Sequence, residues 1–316
     1  MSIIYGLDNV RSEQHGRAVA IGVFDGVHWG HRAIFERLVQ VAGERGIRSA
    51  ALTFDKHPAE ILAPTRAPQY INSLDQRIEL IEALGVEEVI VAEFDHRLAN
   101  LTREDFVDSI LLEKLHTKQV VVGSNFRFGK DRAGDIRYLN EISEDIGIGI
   151  TAVSAVIVDG GPASSTRIRA FISRGDMEEA AKLLGRRFAL RGDVVKGEQI
   201  GRTLGFPTAN IRTAPRQIIP ARGVYAVESS ISNTTYSGVC NIGRRPTFGG
   251  DTTTIEVHFS DFIGDLYGKK LDIAFCRRLR DEMTFESPEK LVEQIRIDIE
   301  KASGTSITEF DTTHLR

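Results

Sequence analysis

Two histidines, His28 and His31, carry the side chains best suited to chemistry in the first part of the sequence, and Gly30 lies between them. An apolar run over 17–24 precedes them, and a helix-like stretch follows from about residue 30. In doubly wound sheets, ligands bind beyond the carboxyl ends of the strands, where helix N-termini present N–H groups to anions. The spacing therefore predicts imidazoles that donate to phosphate oxygens and stabilise charge during phosphoryl or nucleotidyl transfer.

Two other interpretations of the histidine pair stay open from the residues alone. The imidazoles could cap the helix or lie half-buried at its start without a ligand. They could also bind a metal ion, but no carboxylate pattern nearby supplies the further ligands of such a site. Gly26 and Gly30 favour the phosphate interpretation, because glycine lets the backbone come close to a ligand.

Two later stretches place polar side chains directly after predicted strands. Residues 123–135 read GSNFRFGKDRAGD, and residues 164–171 read SSTRIRAF. The side chains that could hold phosphate there are Asn125, Arg127, Lys130, Ser164, Ser165, Thr166, Arg167 and Arg169. Hydroxyl and guanidinium groups at a helix start could bind a triphosphate, because hydrogen bonds from arginine to phosphate are charge-assisted. Each stretch alone could equally be an ordinary helix cap with surface arginines.

A different set of polar residues lies in the second half, in GEQIGRTLGFPTANI over 197–211. It is not a Walker A loop, because no Gly-Lys-Ser/Thr follows. Thr208 and Asn210 are two residues apart, so in a strand their oxygen-bearing side chains share one face. Magnesium favours such hard oxygen ligands together with phosphates and water. The alternative is a glycine-rich hairpin without a ligand.

One carboxylate further along could act as a general base. Glu256 alternates with the apolar Ile255 and Val257, so it faces away from them, and His258 shares its face. A single carboxylate on a strand could instead face solvent without a role. His258 could be structural or could orient a ligand.

The elements that must position these residues differ between the two halves. The first half alternates apolar runs with helix-like stretches, which is typical of a doubly wound parallel sheet. The predicted strands cover 17–24, 48–54, 87–94, 118–123 and 148–158, and the predicted helices cover 30–45, 75–84, 103–115 and 135–146.

From 187 to about 278 the helical period disappears, and short runs are separated by glycine, proline, asparagine and aspartate. That pattern predicts an antiparallel barrel or sandwich. A last amphipathic helix over 287–303 begins with a serine cap followed by proline. We therefore expect two domains, covering 1–185 and 186–316.

Composition limits the partners. The formal net charge of −4 disfavours bulk attraction to nucleic acid or to an anionic membrane, so small molecules are the expected partners. Two cysteines, Cys240 and Cys276, without CxxC spacing favour a reducing compartment over disulfides or structural zinc. No signal peptide or membrane-spanning run is visible, so the expected location is the cytoplasm. The oligomeric state stays open.

The motifs GVFDGVHWGH, NFRFG and SSTRIR, in this order, resemble the adenylyltransferase domain of the prokaryotic bifunctional riboflavin kinase/FAD synthetases, within the nucleotidylyltransferase superfamily. The resemblance implies transfer of AMP from ATP to FMN, which yields FAD and pyrophosphate. It implies catalytic roles for His28 and His31 at the ATP phosphates, and a place for Asn125 near the flavin phosphate or the nucleotide. The implied ATP and phosphate contacts are Gly22, Phe24, Asp25, Gly26, Gly30, Asn125, Ser164, Thr166, Arg167 and Arg169. No general base is required, because the FMN phosphate is already a competent nucleophile.

The motifs GRTLGFPTANI, GVYAV, NIGRRPTFGG and EVHFSDFIGDLYG resemble the riboflavin kinase domain of the same enzymes, a small antiparallel barrel closed by a C-terminal helix. The resemblance implies that Thr208 and Asn210 bind Mg²⁺. It implies that Glu256 is the base that takes the proton from the flavin 5′-hydroxyl, since a primary alcohol benefits from one. The implied ATP contacts in this domain are Gly201, Gly205 and Pro207.

Together the two resemblances imply an enzyme that makes FMN and then FAD from riboflavin and two ATP, with Mg²⁺. One alternative is a single-activity FAD synthetase whose barrel only binds flavin. Another is a flavin-responsive binding or regulatory protein without turnover. Magnesium ligands and a base count against the regulatory protein, because binding alone does not need them.

Overall fold

The first half of the chain forms an α/β layer in the computed structural model, which describes residues 1–197, 201, 204–247 and 250–303. Its strands are β1 (Ser2–Tyr5), β2 (Arg17–Ile21), β3 (Arg48–Phe54), β4 (Glu88–Ala92), β5 (Thr117–Gly123) and β6 (Gly149–Val153). Its main helices are α1 (Trp29–Arg45), α2 (Leu74–Glu82), α3 (Arg103–Asp105, continued by the π-helix Phe106–Lys114) and α4 (Ile136–Ile146). The strands pair in the order β1-β4-β3-β2-β5-β6, and every pairing is parallel. The predicted parallel sheet is confirmed.

Strand β2 shows why this half folds in layers. Ala18 and Ala20 belong to one apolar cluster, Val19 and Ile21 belong to another, and none of the four is more than 6% exposed. A strand covered on both faces reads as a continuous apolar run, as the sequence of this segment does.

Several predicted element bounds were wrong in detail. The run over 17–24 ends as a strand at Ile21, because the backbone turns at once toward α1. The run over 148–158 ends as a strand at Val153, and Ile157–Val158 forms a separate antiparallel hairpin with Gly161–Pro162. The strand predicted over 87–94 covers only Glu88–Ala92. Strand β1 was not predicted, because it is a short edge strand with little buried surface.

The second half forms a closed antiparallel barrel, also as predicted. Its strands are β7 (Ala189–Val195), β8 (Ala209–Thr213), β9 (Gly223–Ile231), β10 (Thr234–Thr247), β11 (Gly250–Phe259) and β12 (Lys270–Arg280). They close in the order β7-β8-β11-β10-β9-β12, with β12 pairing back to β7. Along β7 buried and half-buried residues alternate, which is the period of two that a barrel wall requires. The C-terminal helix, here α7, covers Pro288–Ser303.

Helices α5 (Ser165–Arg174) and α6 (Met177–Leu184) lie between the sheet and the barrel in sequence. The described chain divides into two compact units, Met1–Pro68 with Leu74–Ser164, and Gln69–Ser73 with the described residues from Ser165 to Ser303. Helix α6 packs on β12, which is why both helices group with the barrel. The predicted boundary near residue 185 between the two activities stays a prediction.

Shorter helical pieces complete the described chain. They are Leu7–Asn9, Ala59–Leu62, Pro64–Arg66, His96–Ala99 and Lys130–Arg132. Within the described residues, no helix has the length and apolar character needed to cross a membrane.

Candidate functional site

The segment Gly22–His28 carries the chain from β2 to the start of α1, and its backbone is strained. Phe24 has a φ of 53°, Gly26 of 90° and Val27 of 38°. A residue other than glycine in that region costs about 1–3 kcal/mol, so surrounding contacts must hold Phe24 and Val27 in place. Such strain is concentrated at ligand sites, and here it lies at the carboxyl end of a central strand.

The two predicted histidines come together at the start of α1. The backbone carbonyl of His28 accepts hydrogen bonds from the N–H groups of His31 and Arg32 at 2.8 and 2.9 Å. The His28 side chain makes no capping hydrogen bond, so the interpretation of its imidazole as a helix cap was wrong. The His28 ring instead stacks on the His31 ring, with centroids 3.7 Å apart and 22° between the planes. His28 is buried and His31 is half-buried.

Gly30 is required by the close packing around this pair. A Cβ at Gly30 would lie 3.2 Å from Cε1 of His28 and 3.4 Å from the carbonyl oxygen of Ala163. The glycine therefore lets the start of α1 approach the residue that precedes Ser164. This contact brings the first residue of the SSTRIR motif toward the histidine pair within the first unit.

Phe24 and Asp25, two predicted ATP contacts, have side chains that are 3% and 2% exposed. The Phe24 ring packs on Phe35, with centroids 4.6 Å apart, and meets His31 edge-on at 5.3 Å. Phe24 and Asp25 thus support the loop from within.

Arg77 in α2 is a residue that sequence reasoning missed. Its guanidinium is 1% exposed and donates to the carbonyl oxygens of Val23 at 2.6 Å and of Phe54 at 2.7 Å. Val23 lies in the strained segment, and Phe54 ends β3. An isolated arginine on an amphipathic helix is normally a surface residue, so the sequence carries no signal of this role.

Asn125 lies in the turn after β5 and is exposed. A small hairpin follows, in which Arg127–Phe128 pairs with Gly134–Asp135. The rings of Phe126 and Phe128 stack with centroids 5.5 Å apart and give this turn an aromatic support. Because β5 is parallel to β2 and adjacent to it, Asn125 lies at the same sheet edge as the histidine pair.

The SSTRIR residues divide between the two compact units. Ser164 belongs to the first unit, whereas Thr166, Arg167 and Arg169 lie on α5 in the second. Thr166 is exposed, and Nε of Arg169 donates to the carbonyl oxygen of Gln69 at 2.6 Å. A common role for these residues and the histidines therefore stays a prediction.

In the barrel, Glu256 lies between two asparagines. It pairs directly with Asn210 of β8 on one side and with Asn241 of β10 on the other. Directly opposed residues of antiparallel strands share a face, with Cβ atoms about 4.5–5.5 Å apart. The three side chains therefore form a row with a carboxylate between two amides, which we call the barrel row. Sequence reasoning missed Asn241, because only the strand register reveals it.

Thr208 lies beside the barrel row and next to His258. Asn210 and Glu256 are directly paired, so Thr208 falls two positions further along the same two strands, next to His258. Nδ1 of His258 lies 2.9 Å from the carbonyl oxygen of Pro207. A carbonyl oxygen only accepts, so this contact requires the proton on Nδ1. His258 thus ties the residue before Thr208 to β11.

Glycines bring the loop before β8 close to the two predicted magnesium ligands. A Cβ at Gly197 would lie 2.2 Å from Nδ2 of Asn210, and one at Gly201 would lie 3.4 Å from Oγ1 of Thr208. Gly205 has a φ of 86°, which favours glycine. Residues 198–200 and 202–203 of this motif, and 248–249 of NIGRRPTFGG, lie outside the described residues.

A cavity of about 560 Å³ opens next to Thr208. Its size falls in the range of small-molecule sites, and its lining is mostly apolar. The lining residues are Val194, Pro207, Thr208, Ala209, Val257, Phe259, Phe262, Ile263, Gly264, Asp265, Leu266 and Tyr267. The segment that follows β11 thus forms one wall of this cavity. In the sequence, this segment was noted only as part of the motif EVHFSDFIGDLYG.

Both cysteines are buried in the barrel strands. Burial raises the pKa of the Cys240 thiol well above its ordinary value, and the nearby Glu256 carboxylate raises this pKa further. Burial also raises the pKa of Cys276 to about 11. Both thiols are therefore protonated near neutral pH and do not act as nucleophiles there.

The family models that match the two halves of this chain are those of ATP-dependent group-transfer enzymes. An FAD synthetase family model matches residues 10–167, and a riboflavin kinase family model matches residues 184–305. The chain belongs to the bifunctional riboflavin kinase/FMN adenylyltransferase family.

Individual relatives agree with this assignment over nearly the whole chain. The bifunctional riboflavin kinase/FMN adenylyltransferase of Pseudomonas fluorescens is 39% identical over 303 residues, which cover 96% of this chain and 97% of the relative. The Haemophilus influenzae protein of the same name is 37% identical, with 96% and 99% covered. A crystal structure from Streptococcus pneumoniae agrees in fold, although it carries a different name, macrolide-efflux protein. It has a TM-score of 0.87 at 31% identity, and the match covers 96% of this chain and 99% of that chain. The predicted family, fold class and pair of transferase activities are confirmed.

Proposed function

We propose that this chain converts riboflavin to FMN in the barrel and FMN to FAD at the edge of the parallel sheet, with one ATP consumed at each step. The observation that carries the proposal is the contrast between the two sites. The barrel row presents a carboxylate, whereas the sheet edge presents stacked imidazoles. Phosphorylation of an alcohol benefits from a base, and attack by a phosphate does not require one.

In the barrel, Glu256 accepts the proton of the flavin 5′-hydroxyl as that oxygen attacks the γ-phosphorus of ATP. The new bond joins the flavin oxygen to phosphorus, and the bond from the γ-phosphorus to the β-phosphate oxygen breaks, which releases ADP. Asn210 and Asn241 flank the carboxylate and orient it by their position in the sheet register.

Magnesium fits the residues beside this carboxylate. Thr208 and Asn210 offer neutral oxygens on one face, and Gly197 and Gly201 keep the space around them clear of side chains. Magnesium in ATP sites takes few ligands from the protein, and the substrate phosphates and waters supply the others. The ion would screen the phosphate charge against the incoming nucleophile.

We place the adenine of the kinase ATP in the 560 Å³ cavity next to Thr208. The apolar walls suit a flat base, and Thr208, which also lines the cavity, would lie near the phosphates. Gly201, Gly205 and Pro207 then approach the phosphates through the loop backbone.

At the sheet edge, a phosphate oxygen of FMN attacks the α-phosphorus of the second ATP. The bond from the α-phosphorus to the β-phosphate oxygen breaks, and pyrophosphate leaves. His28 and His31 donate hydrogen bonds to the charge that develops on the phosphates. The backbone of Gly22, Gly26 and Gly30 lets the phosphates approach, and Asn125 and Ser164 add polar contacts within the first unit. A contribution of Thr166, Arg167 and Arg169 is what the motif alone predicts.

The proposal includes small-molecule partners only and a cytoplasmic location, in keeping with two cysteines that are both reduced. The test is to incubate the purified chain with riboflavin, ATP and Mg²⁺ and to separate the flavins by chromatography. We expect FMN to appear first and FAD after it, and removal of Mg²⁺ by a chelator to stop the phosphorylation.

Two results would contradict the proposal. FAD formed from supplied FMN, without any FMN formed from riboflavin, would mean that the barrel only binds flavin. Tight flavin binding without turnover of either flavin would instead indicate a regulatory protein.

A further inference from the structure

We propose that Arg77 is a positioning residue for FMN adenylylation, because it fixes the strained segment that presents the histidine pair. This inference rests on the proposed role of His28 and His31. It extends that role to a buried arginine on a different helix.

Arg77 donates to the ends of two neighbouring strands. Two of its hydrogen bonds reach the carbonyls of Val23 and Phe54, at 2.6 and 2.7 Å. These residues lie at the carboxyl ends of the adjacent parallel strands β2 and β3. A single guanidinium thus joins the two strand ends at the edge of the sheet where parallel sheets bind their ligands.

The Val23 carbonyl lies at the start of the strained segment. Val23 immediately precedes Phe24, the first residue of the segment with a positive φ. The Val23 carbonyl also accepts a hydrogen bond from Oγ1 of Thr53 at 3.2 Å. Two buried donors therefore hold one peptide at the point where the strand becomes the strained turn.

Phe24 connects this anchored peptide to the imidazoles. The Phe24 ring packs edge-on against His31, and the His31 ring stacks on His28. A shift of the Val23 peptide would therefore pass through Phe24 to both rings. Transfer reactions that depend on alignment lose rate steeply when a group moves by about 1 Å.

The structure offers a matched control at the other end of the same strand. Arg17 begins β2, is also 1% exposed, and donates to Glu88 at 2.6 Å and to the Leu115 carbonyl at 3.1 Å. It lies at the amino end of β2, far along the strand from the histidine loop. Loss of Arg17 should disturb the fold without misplacing the imidazoles.

The experiment compares Arg77→Met and Arg77→Lys with Arg17→Met in the full chain, with riboflavin phosphorylation measured in the same preparations. We expect Arg77→Met to lower kcat for adenylylation of FMN about 10- to 100-fold, with KM for ATP changed less than threefold. Arg77→Lys should recover part of the loss, because an ammonium can still donate to at least one carbonyl. Riboflavin phosphorylation should stay within twofold, and Arg17→Met should keep the kcat of adenylylation within twofold.

Thr53→Val keeps the test decisive if Arg77→Met does not fold. It removes only the second donor to the Val23 carbonyl and conserves shape, and we expect a threefold to tenfold loss in kcat. If the foldable Arg77 variants and Thr53→Val adenylylate FMN within twofold of the original chain, the proposal is wrong. It is equally wrong if Arg17→Met loses as much kcat as Arg77→Met.

A parallel His31→Asn variant separates this inference from the proposed site. Full adenylylation by His31→Asn would refute the role of the histidines and, with it, the reason given for Arg77. Loss of adenylylation in His31→Asn, together with Arg77 and Thr53 variants that adenylylate FMN at an unchanged rate, would refute the Arg77 inference alone.

Discussion

The two units place their reactive groups by different means. At the sheet edge, the imidazoles lie on a strained segment and a helix start, so their positions depend on contacts from other elements such as α2. In the barrel, the row of Asn210, Glu256 and Asn241 is set by strand pairing itself. A site built on strand register needs few outside supports, whereas a site built on a loop needs buried anchors. Substitutions should therefore affect one activity at a time.

The largest selective effect should come from Glu256. Glu256→Gln keeps the shape of the side chain but removes the base, so riboflavin phosphorylation should fall about 10²- to 10⁴-fold. Adenylylation of supplied FMN should stay within twofold. Initial rates of both reactions, followed by flavin chromatography, measure the contrast. Asp272→Asn, a carboxylate on β12 that pairs with Arg191, is the matched control and should leave both rates unchanged.

Substitutions of the histidine pair should have the opposite selectivity, with loss of adenylylation and not of phosphorylation. His31→Asn or His28→Asn removes a donor to the developing phosphate charge, so adenylylation should fall about 10²- to 10³-fold. Riboflavin phosphorylation should stay within twofold. The exposed His96, in the same unit, provides a control in His96→Asn. Equal loss of both activities in the His31 variant would argue against separate sites.

A smaller effect should follow from filling the space beside Asn210. A Cβ at Gly197 would lie 2.2 Å from the Asn210 amide, so Gly197→Ala must push that side chain aside. We expect riboflavin phosphorylation to fall about tenfold, since alignment is lost. Gly43→Ala is the control, because a Cβ there meets nothing within 4 Å. An unchanged rate in Gly197→Ala would mean that Asn210 is not used where it lies.

The smallest effect should come from the cysteines. Both activities should survive treatment with iodoacetamide at pH 7.5, because raised pKa values keep the two buried thiols protonated. Mass spectrometry should find the thiols unlabelled in the folded chain and labelled in urea. Rapid inactivation would show that a thiol takes part in one of the sites.

The same pKa shift has a consequence for stability. The pKa of Cys276 rises to about 11 in the folded chain, above the ordinary thiol value of about 8.5. Its contribution to stability is therefore fully present below about pH 8.5 and is lost as the pH rises toward 11. Urea titrations should show less fall in the free energy of unfolding over that interval in Cys276→Ala. An identical fall would contradict the shift.

The sequence predicted most of the fold because its signals are local. Continuous apolar runs indicated the buried parallel strands, and the loss of helical period indicated the barrel. The strand over 17–24 was predicted too long, because nothing in the letters VFDGV shows that Phe24 and Val27 adopt positive φ. The sequence also does not distinguish the π-helix over Phe106–Lys114 from an α-helix, since its apolar residues suit an ordinary helix equally well.

The sites were predictable to the extent that they lie in one stretch of chain. Short motifs contain His28 with His31 and Thr208 with Asn210, so the spacing within each motif was enough to predict a chemical role. Asn241 and Arg77 are distant in sequence from the residues that they pair with or donate to, so only the strand register and the hydrogen bonds reveal them.

The most direct test of the two-site account is complementation between Glu256→Gln and His31→Asn. Each purified variant is incubated with riboflavin, ATP and Mg²⁺, first alone and then as an equal mixture, and FAD is measured over time. The account requires FAD to form at least tenfold more slowly in Glu256→Gln alone and in His31→Asn alone than in the mixture, with FMN accumulating in His31→Asn alone, since FMN made by one variant is adenylylated by the other. A mixture that accumulates FMN without FAD, or a single substitution that abolishes both reactions, would contradict it.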